Sequence, residues 1–122
     1  MARPSITWAE VTVDCRDAER LARFYADLLQ ADPVADVEGW YRIDPLVPGG
    51  PLLNFQPVPE EKDGKVRIHL DLWTDDLDAA TALAQELGAA IGGPVGEEAG
   101  FTGRVMTDPE GNEFCLVASA PK

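Results

Sequence analysis

A chain of 122 residues is long enough to fold as one compact domain and to bury a core without disulfide or metal staples. Its formal net charge of −12 argues against nucleic acid and anionic membrane surfaces as partners, because both demand positive potential. Two cysteines, Cys15 and Cys115, without CxxC spacing imply no disulfide framework, and no apolar leader or membrane-length run is present, so the expected location is the cytoplasm.

Residues 6–14 alternate as a strand, with Val11 and Val13 on one face and Trp8, Glu10, Thr12 and Asp14 on the other. Asp17 is placed to cap a helix whose apolar positions Leu21, Phe24, Tyr25 and Leu28 keep helical spacing and which ends near Gln30. Three short strands follow over 33–37, 40–44 and 51–56, separated by turns at Glu38-Gly39 and Pro48-Gly49-Gly50. Residues 57–64, charged and carrying Pro57 and Pro59, read as an exposed connector.

The stretch 67–76 holds the chain's one histidine. Val66, Ile68, Leu70 and Leu72 fall on one side of an extended strand, and Arg67, His69, Asp71 and Trp73 on the other. A face carrying a base, an acid and an indole must meet water, a ligand or a partner chain, and it reads as a pocket wall. Asp76 (or Asp75) then caps a second helix through Ala80, Leu83, Ala84 and Leu87, closed by Gly88. Strands near 89–91 or slightly beyond, 103–107 and 113–118 complete the chain, the last two joined as a hairpin by the turn at 108–112.

The second half repeats the first. Measured from Asp17 and Asp76, the four apolar helix positions fall at equal offsets; Glu10 then matches His69, Val11 matches Leu70, and Val13 matches Leu72. Each half reads β-α-β-β-β and is too small to bury its helix alone. The expected architecture is therefore α+β: two βαβββ modules, about 6–57 and 65–118, within a single domain spanning 1–122. Their strands should form a curved mixed sheet enclosing a cleft, with the helices on its outer face. The duplication would set Glu10 opposite His69 across that cleft.

The helix phrase DAERLARFYADLL (17–29), the phrase RIHLDLWTDDLDAA (67–80) and the turn-strand phrase DPEGNEFCLV (108–117) resemble the vicinal oxygen chelate superfamily, in its glyoxalase-like, bleomycin-resistance branch. The resemblance implies a cleft whose metal, where one is used, is held by the first and last strands of each module. Those positions here are Glu10, His69, Asn54 (or Gln56) and Cys115. Metal-using members usually carry His or Gln, Glu, His and Glu there, so Asn54 and Cys115 stand in place of two carboxylates.

Glu10 and His69 are good donors for a divalent ion, an amide oxygen is a poor one, and Cys115 could serve either as a thiolate ligand or as a small buried hydrophobe. Without an ion, His69 beside Glu10 or Asp71 forms an acid–imidazole pair able to act as a general base or to recognise a polar ligand. Trp8, Thr12, Asn54, Gln56, Arg67, Asp71, Trp73, Glu113 and Cys115 are the further candidates for contact with a ligand. Aromatic rings beside carboxylates suit a flat or cationic organic molecule, as does the acidic charge, which equally serves solubility. The reading is a protein that binds a small organic molecule without a cofactor. The alternative is a lyase, isomerase or dioxygenase with a divalent metal at Glu10 and His69. The resemblance also implies a homodimer, with strands of two chains completing each cleft.

Overall fold

A computed structural model describes residues 3–98 and 100–119. Asp17 caps the first helix α1 (Ala18–Leu29), its side chain accepting from the Arg20 amide at 3.1 Å, and Gln30 ends it in a left-handed conformation. Asp76 and Gly88 do the same for α2 (Leu77–Leu87), Asp76 accepting from the Ala79 amide at 3.0 Å and Gly88 taking φ 118°. The strands are β1 (Val11–Cys15), β2 (Val34–Ala35), β3 (Tyr41–Ile43), β4 (Leu53–Pro57), β5 (Asp71–Trp73), β6 (Ala90–Glu98), β7 (Phe101–Thr107) and β8 (Glu113–Ser119).

They form two four-stranded sheets of the same topology, β1-β4-β3-β2 and β5-β8-β7-β6. In each, the strand before the helix pairs parallel with the last strand of its module, and the other pairings are antiparallel. The βαβββ repeat is therefore real. The two sheets remain separate rather than closing on each other, and each has two edge strands, β1 and β2 in the first and β5 and β6 in the second.

Several strands differ from the sequence expectation, each for a reason of pairing. The ladder of β1 starts at Val11, whose amide donates to the Leu52 carbonyl at 3.0 Å. Before Leu52 come Pro51, which has no N–H, and the turn closed by Gly50 onto Val47, so residues 6–10 have nothing to pair with. β5 is also shorter than expected: β8 extends back to Glu113, opposite His69 in this register, but the paired ladder starts only at Asp71, so His69 lies ahead of the paired strand. β6 runs well beyond 91, through Gly92, Gly93 and Pro94, which form an irregularity between Ile91 and Val95 inside one strand.

One core serves both modules. Tyr25 of α1 stacks on Phe55 of β4 at 5.9 Å and meets Phe114 of β8 edge-on at 5.6 Å. Leu21, Phe55, Met106 and Phe114 are wholly buried. Above this cluster lies Asp108, only 5% exposed. Its carboxylate accepts from the Tyr25 hydroxyl at 2.7 Å, the Glu110 and Asn112 amides at 2.8 and 3.0 Å, and Asn112 Nδ2 at 3.1 Å. The next carboxylate, Glu110, accepts from the Arg16 and Asp17 amides at 2.6 and 2.8 Å. The turn of the second module thus holds both the start and the middle of the first module's helix. Burial, and then the Asp108 charge, push the Tyr25 phenol up, so it remains a donor.

The connector is held by Glu113, whose carboxylate accepts from Lys62 Nζ at 2.8 Å and from the Val66 amide at 2.6 Å. The lysine contact first, and the amide second, hold Glu113 below its ordinary value of 4.5.

Two predictions follow from these carboxylates. Asp108→Ala strands the Tyr25 hydroxyl and the turn amides and should cost about 2–4 kcal/mol in urea unfolding, whereas Tyr25→Phe, leaving Asp108 three partners, should cost about 1–2 kcal/mol. Because Glu113 has a depressed folded pKa, its tether is complete above about pH 4.5 and is lost as pH falls through the folded value. Melting curves of the wild type and Glu113→Gln should differ at pH 6–7 and converge in acid; a constant gap would contradict the assignment.

Candidate functional site

The strand register determines which side chains share the face of the second sheet turned away from its helix. Asp71 pairs with Cys115 and Cys115 with Val105; Trp73 pairs with Val117, Val117 with Gly103 and Gly103 with Gly96. Directly opposed residues point to the same side, so two rows cross this face. One is polar at its β5 end. The other descends from an indole to two glycines that leave bare backbone as a floor. A groove of about 780 Å³ lies over these rows.

At its aromatic end Trp73 and Phe101 stand with ring centroids 5.4 Å apart and planes tilted by 58°. Both are exposed, at 72 and 40%. Aromatic surface left to solvent next to a concave floor is the arrangement of a stacking site. At the polar end His69 Nδ1 lies 3.1 Å from Asp71 Oδ1. The pair is half-exposed and contributes orientation more than stability. Cys115 completes the end: burial, then the Asp71 carboxylate that also accepts its hydrogen bond, push the thiol up. Cys15, by contrast, is a core thiol at 3% exposure, pushed up to about 12 by burial and by the nearby Glu110 and Asp108.

The expected residues fall into two groups, one on each sheet. On the first sheet Glu10 Oε2 accepts from Asn54 Nδ2 at 3.3 Å, and Thr12 pairs in register with Asn54. Asn54 is 6% exposed and its Oδ1 is buried without a hydrogen-bond partner among the described residues. Gln56, half-buried, pairs in register with Asp14. On the second sheet are His69, Asp71, Trp73 and Cys115. Arg67 and Thr12 line a hollow of about 490 Å³ between the modules, and His69 borders that hollow as well as the groove. Trp8 is 79% exposed on the segment ahead of β1, and Glu113 is engaged with Lys62 and Val66.

The partners that the structure gives His69 are thus Asp71 and Cys115. Among the described residues, these three form the one group of His, Cys and carboxylate side chains whose donor atoms lie close enough together, within 4.8 Å, to hold a metal ion. Imidazole, carboxylate and thiol on one open face fit a divalent ion chemically. Phe101 and Gly103, central to the groove, were not recognised as site residues in the sequence. The strand was expected to begin only at 103, and a glycine there announces nothing until register sets it opposite Val117.

The glyoxalase-like domain family matches residues 10–117. Among solved structures, the chain resembles a glyoxalase/bleomycin resistance protein/dioxygenase family enzyme from Burkholderia phytofirmans PsJN, with a TM-score of 0.76 at 18% identity over 91% of this chain and 97% of that one. It also resembles the fosfomycin resistance protein FosX from Listeria monocytogenes, with a TM-score of 0.73 at 12% identity over 96% of each chain. The hypothetical protein SA1046 from S. aureus gives 0.71 at 17% identity over 94% and 95%. A comparison with curated proteins finds no match. Such identities speak for the fold alone; the family match over most of the chain, together with the duplicated βαβββ topology, makes this protein a member of the glyoxalase-like domain family, within the vicinal oxygen chelate superfamily.

Proposed function

We propose that this protein binds a small, flat organic molecule, cationic or cation-bearing, in the groove of its second sheet. The observation that carries the reading is the exposed Trp73–Phe101 pair standing over the glycine floor, with the His69–Asp71 pair at the far end. The rings supply stacking and attraction for a cation, and Asp71 and His69 supply a charge and a hydrogen-bonding nitrogen. A net charge of −12 raises the local concentration of such a ligand and disfavours nucleic acid and anionic membranes. None of these contacts requires an ion. Both cysteines are free, which suits the reducing cytoplasm.

A second reading, a metal-dependent lyase, isomerase or dioxygenase, draws support from the donors around His69. An ion there would polarise a substrate oxygen. It would use Asp71 and Cys115 with His69, whereas Glu10 is occupied by Asn54 on the other sheet.

The same proposal makes the protein a homodimer. Ile6, Trp8 and Ile68 are 81, 79 and 83% exposed on the segments that lead into the edge strands β1 and β5, and a second copy would cover them. Light scattering on a size-exclusion column should give twice the chain mass; a single-chain mass would remove this part.

A thermal-shift screen in EDTA, comparing planar aromatic cations with neutral isosteres, tests the binding reading. A ligand at a hundredfold excess over Kd should add about 2.7 kcal/mol of stability. Trp73→Ala should abolish the shift. Gly103→Leu should do so too, because a Cβ at Gly103 meets only the Leu116 carbonyl oxygen at 3.6 Å and the added side chain fills the groove without disturbing the strand. No shift with any cation, or shifts unaffected by both variants, would contradict the reading.

A further inference from the structure

We infer that Glu113 latches the connector between the modules onto β8 and thereby sets where His69 stands at the polar end of the groove. Glu113 is a positioning residue for that groove, acting through the backbone of residues 66–70. As regulation of the groove the inference rests on the binding reading, whereas the latch itself belongs to the ligand-free chain.

The run from Val66 to Leu70 is pinned to β8 at both ends. Upstream, the Glu113 carboxylate accepts from the Val66 amide at 2.6 Å; downstream, the Leu70 carbonyl accepts from the Cys115 amide at 2.8 Å. The pins lie two residues apart on β8 and four apart on the incoming chain, so the incoming chain cannot run as a one-for-one ladder. It bends at residues 67 and 68, leaving Ile68 83% exposed, and His69 follows where the chain returns to the sheet.

This pinned run, more than an ion pair, holds the imidazole. His69 and Asp71 are 49 and 60% exposed at their side chains, and a contact so open to water contributes little. The Glu113 latch is better shielded. One carboxylate oxygen takes Lys62 Nζ at 2.8 Å and the other takes the Val66 amide, with the lysine and glutamate side chains 22 and 18% exposed. The connector's other ion pair, Arg16–Glu61 at 3.3 Å, is 52 and 84% exposed and adds little. Glu113 is therefore the tie that decides.

The same connector closes the hollow between the modules. Val58, Lys62 and Val66 line that hollow together with Val13, Tyr25 and Asn112, and His69 borders both the hollow and the groove. With the latch closed, only residues 67–69 run between pins. With it open, the preceding backbone anchor is the Val58 amide on the Cys15 carbonyl at 2.7 Å, and residues 59–69 are freed together. Whatever shifts the connector over the hollow then shifts the polar end of the groove.

NMR of the apo protein tests this, and the single histidine gives one set of ring signals. Lys62→Met and Glu113→Gln should each speed hydrogen exchange at the Val66 amide ~10-fold, by raising the population of the open connector. Both should also move the His69 ring resonances and remove the nuclear Overhauser contact between that ring and the Cys115 β-protons. Lys62→Arg, which restores the charge, should keep wild-type values of all three, as should Arg16→Gln. Unchanged amide resonances of β6 and β7 in each variant separate release of the latch from loss of the fold. His69 signals that stay in place in both latch variants would overturn the inference. So would faster Val66 exchange without movement of His69, or loosening in Arg16→Gln equal to that in Lys62→Met. Since no ligand is present, failure of the thermal-shift screen leaves the latch standing, and a fixed His69 leaves the binding reading standing.

Discussion

The buried carboxylate of Asp108 is the constraint on which the rest of the molecule depends. A βαβββ unit cannot bury both faces of its helix by itself, so two units must share a core. Tyr25, Phe55 and Phe114 provide the shared apolar part, but aromatic packing alone leaves orientation loose. Asp108 fixes it by accepting from Tyr25 in one module while organising the turn of the other, and Glu110 adds two backbone amides at the start of α1. A buried charge with four donors is stable where it is and costly to unmake, which makes the relation of the two modules a discrete choice.

That relation governs how much was legible in the sequence. Helices were clear because Asp17, Asp76 and Gly88 announce their ends by local chemistry, and each does its part in a cap. The duplication was clear because it needs only equal spacing. Strand lengths were not, since the extent of β1 is set by where its partner β4 begins, far away in the chain. The reach of β6 past 91 was not legible either: Gly92-Gly93-Pro94 form an irregularity inside it, which an edge strand tolerates even with a residue lacking an N–H.

The site was legible in part for the same reason. Alternation puts Arg67, His69, Asp71 and Trp73 on one side of the chain, and the last three border the groove while Arg67 lines the other hollow. It paired His69 with Glu10, a property of two modules, and there the structure gives each a nearer partner: Asn54 for Glu10, Asp71 for His69. Asp71 and Cys115 became neighbours only through the parallel register of β5 and β8. Phe101 and the glycine floor emerged from that register as well. The two modules have the same strand order with different side chains, and the cluster of His69, Asp71 and Cys115 lies on the second.

The account's central claim is that this second face, rather than the space between equivalent residues of both modules, receives the ligand. Its most direct test is an amide-proton NMR titration with the planar cation that gives the largest thermal shift. The account predicts perturbation of the Trp73 indole and of the Phe101, Gly103 and Cys115 amides, with Thr12, Asn54 and Gln56 undisturbed. Perturbation confined to those first-sheet residues, with Trp73 and Phe101 silent, would contradict it.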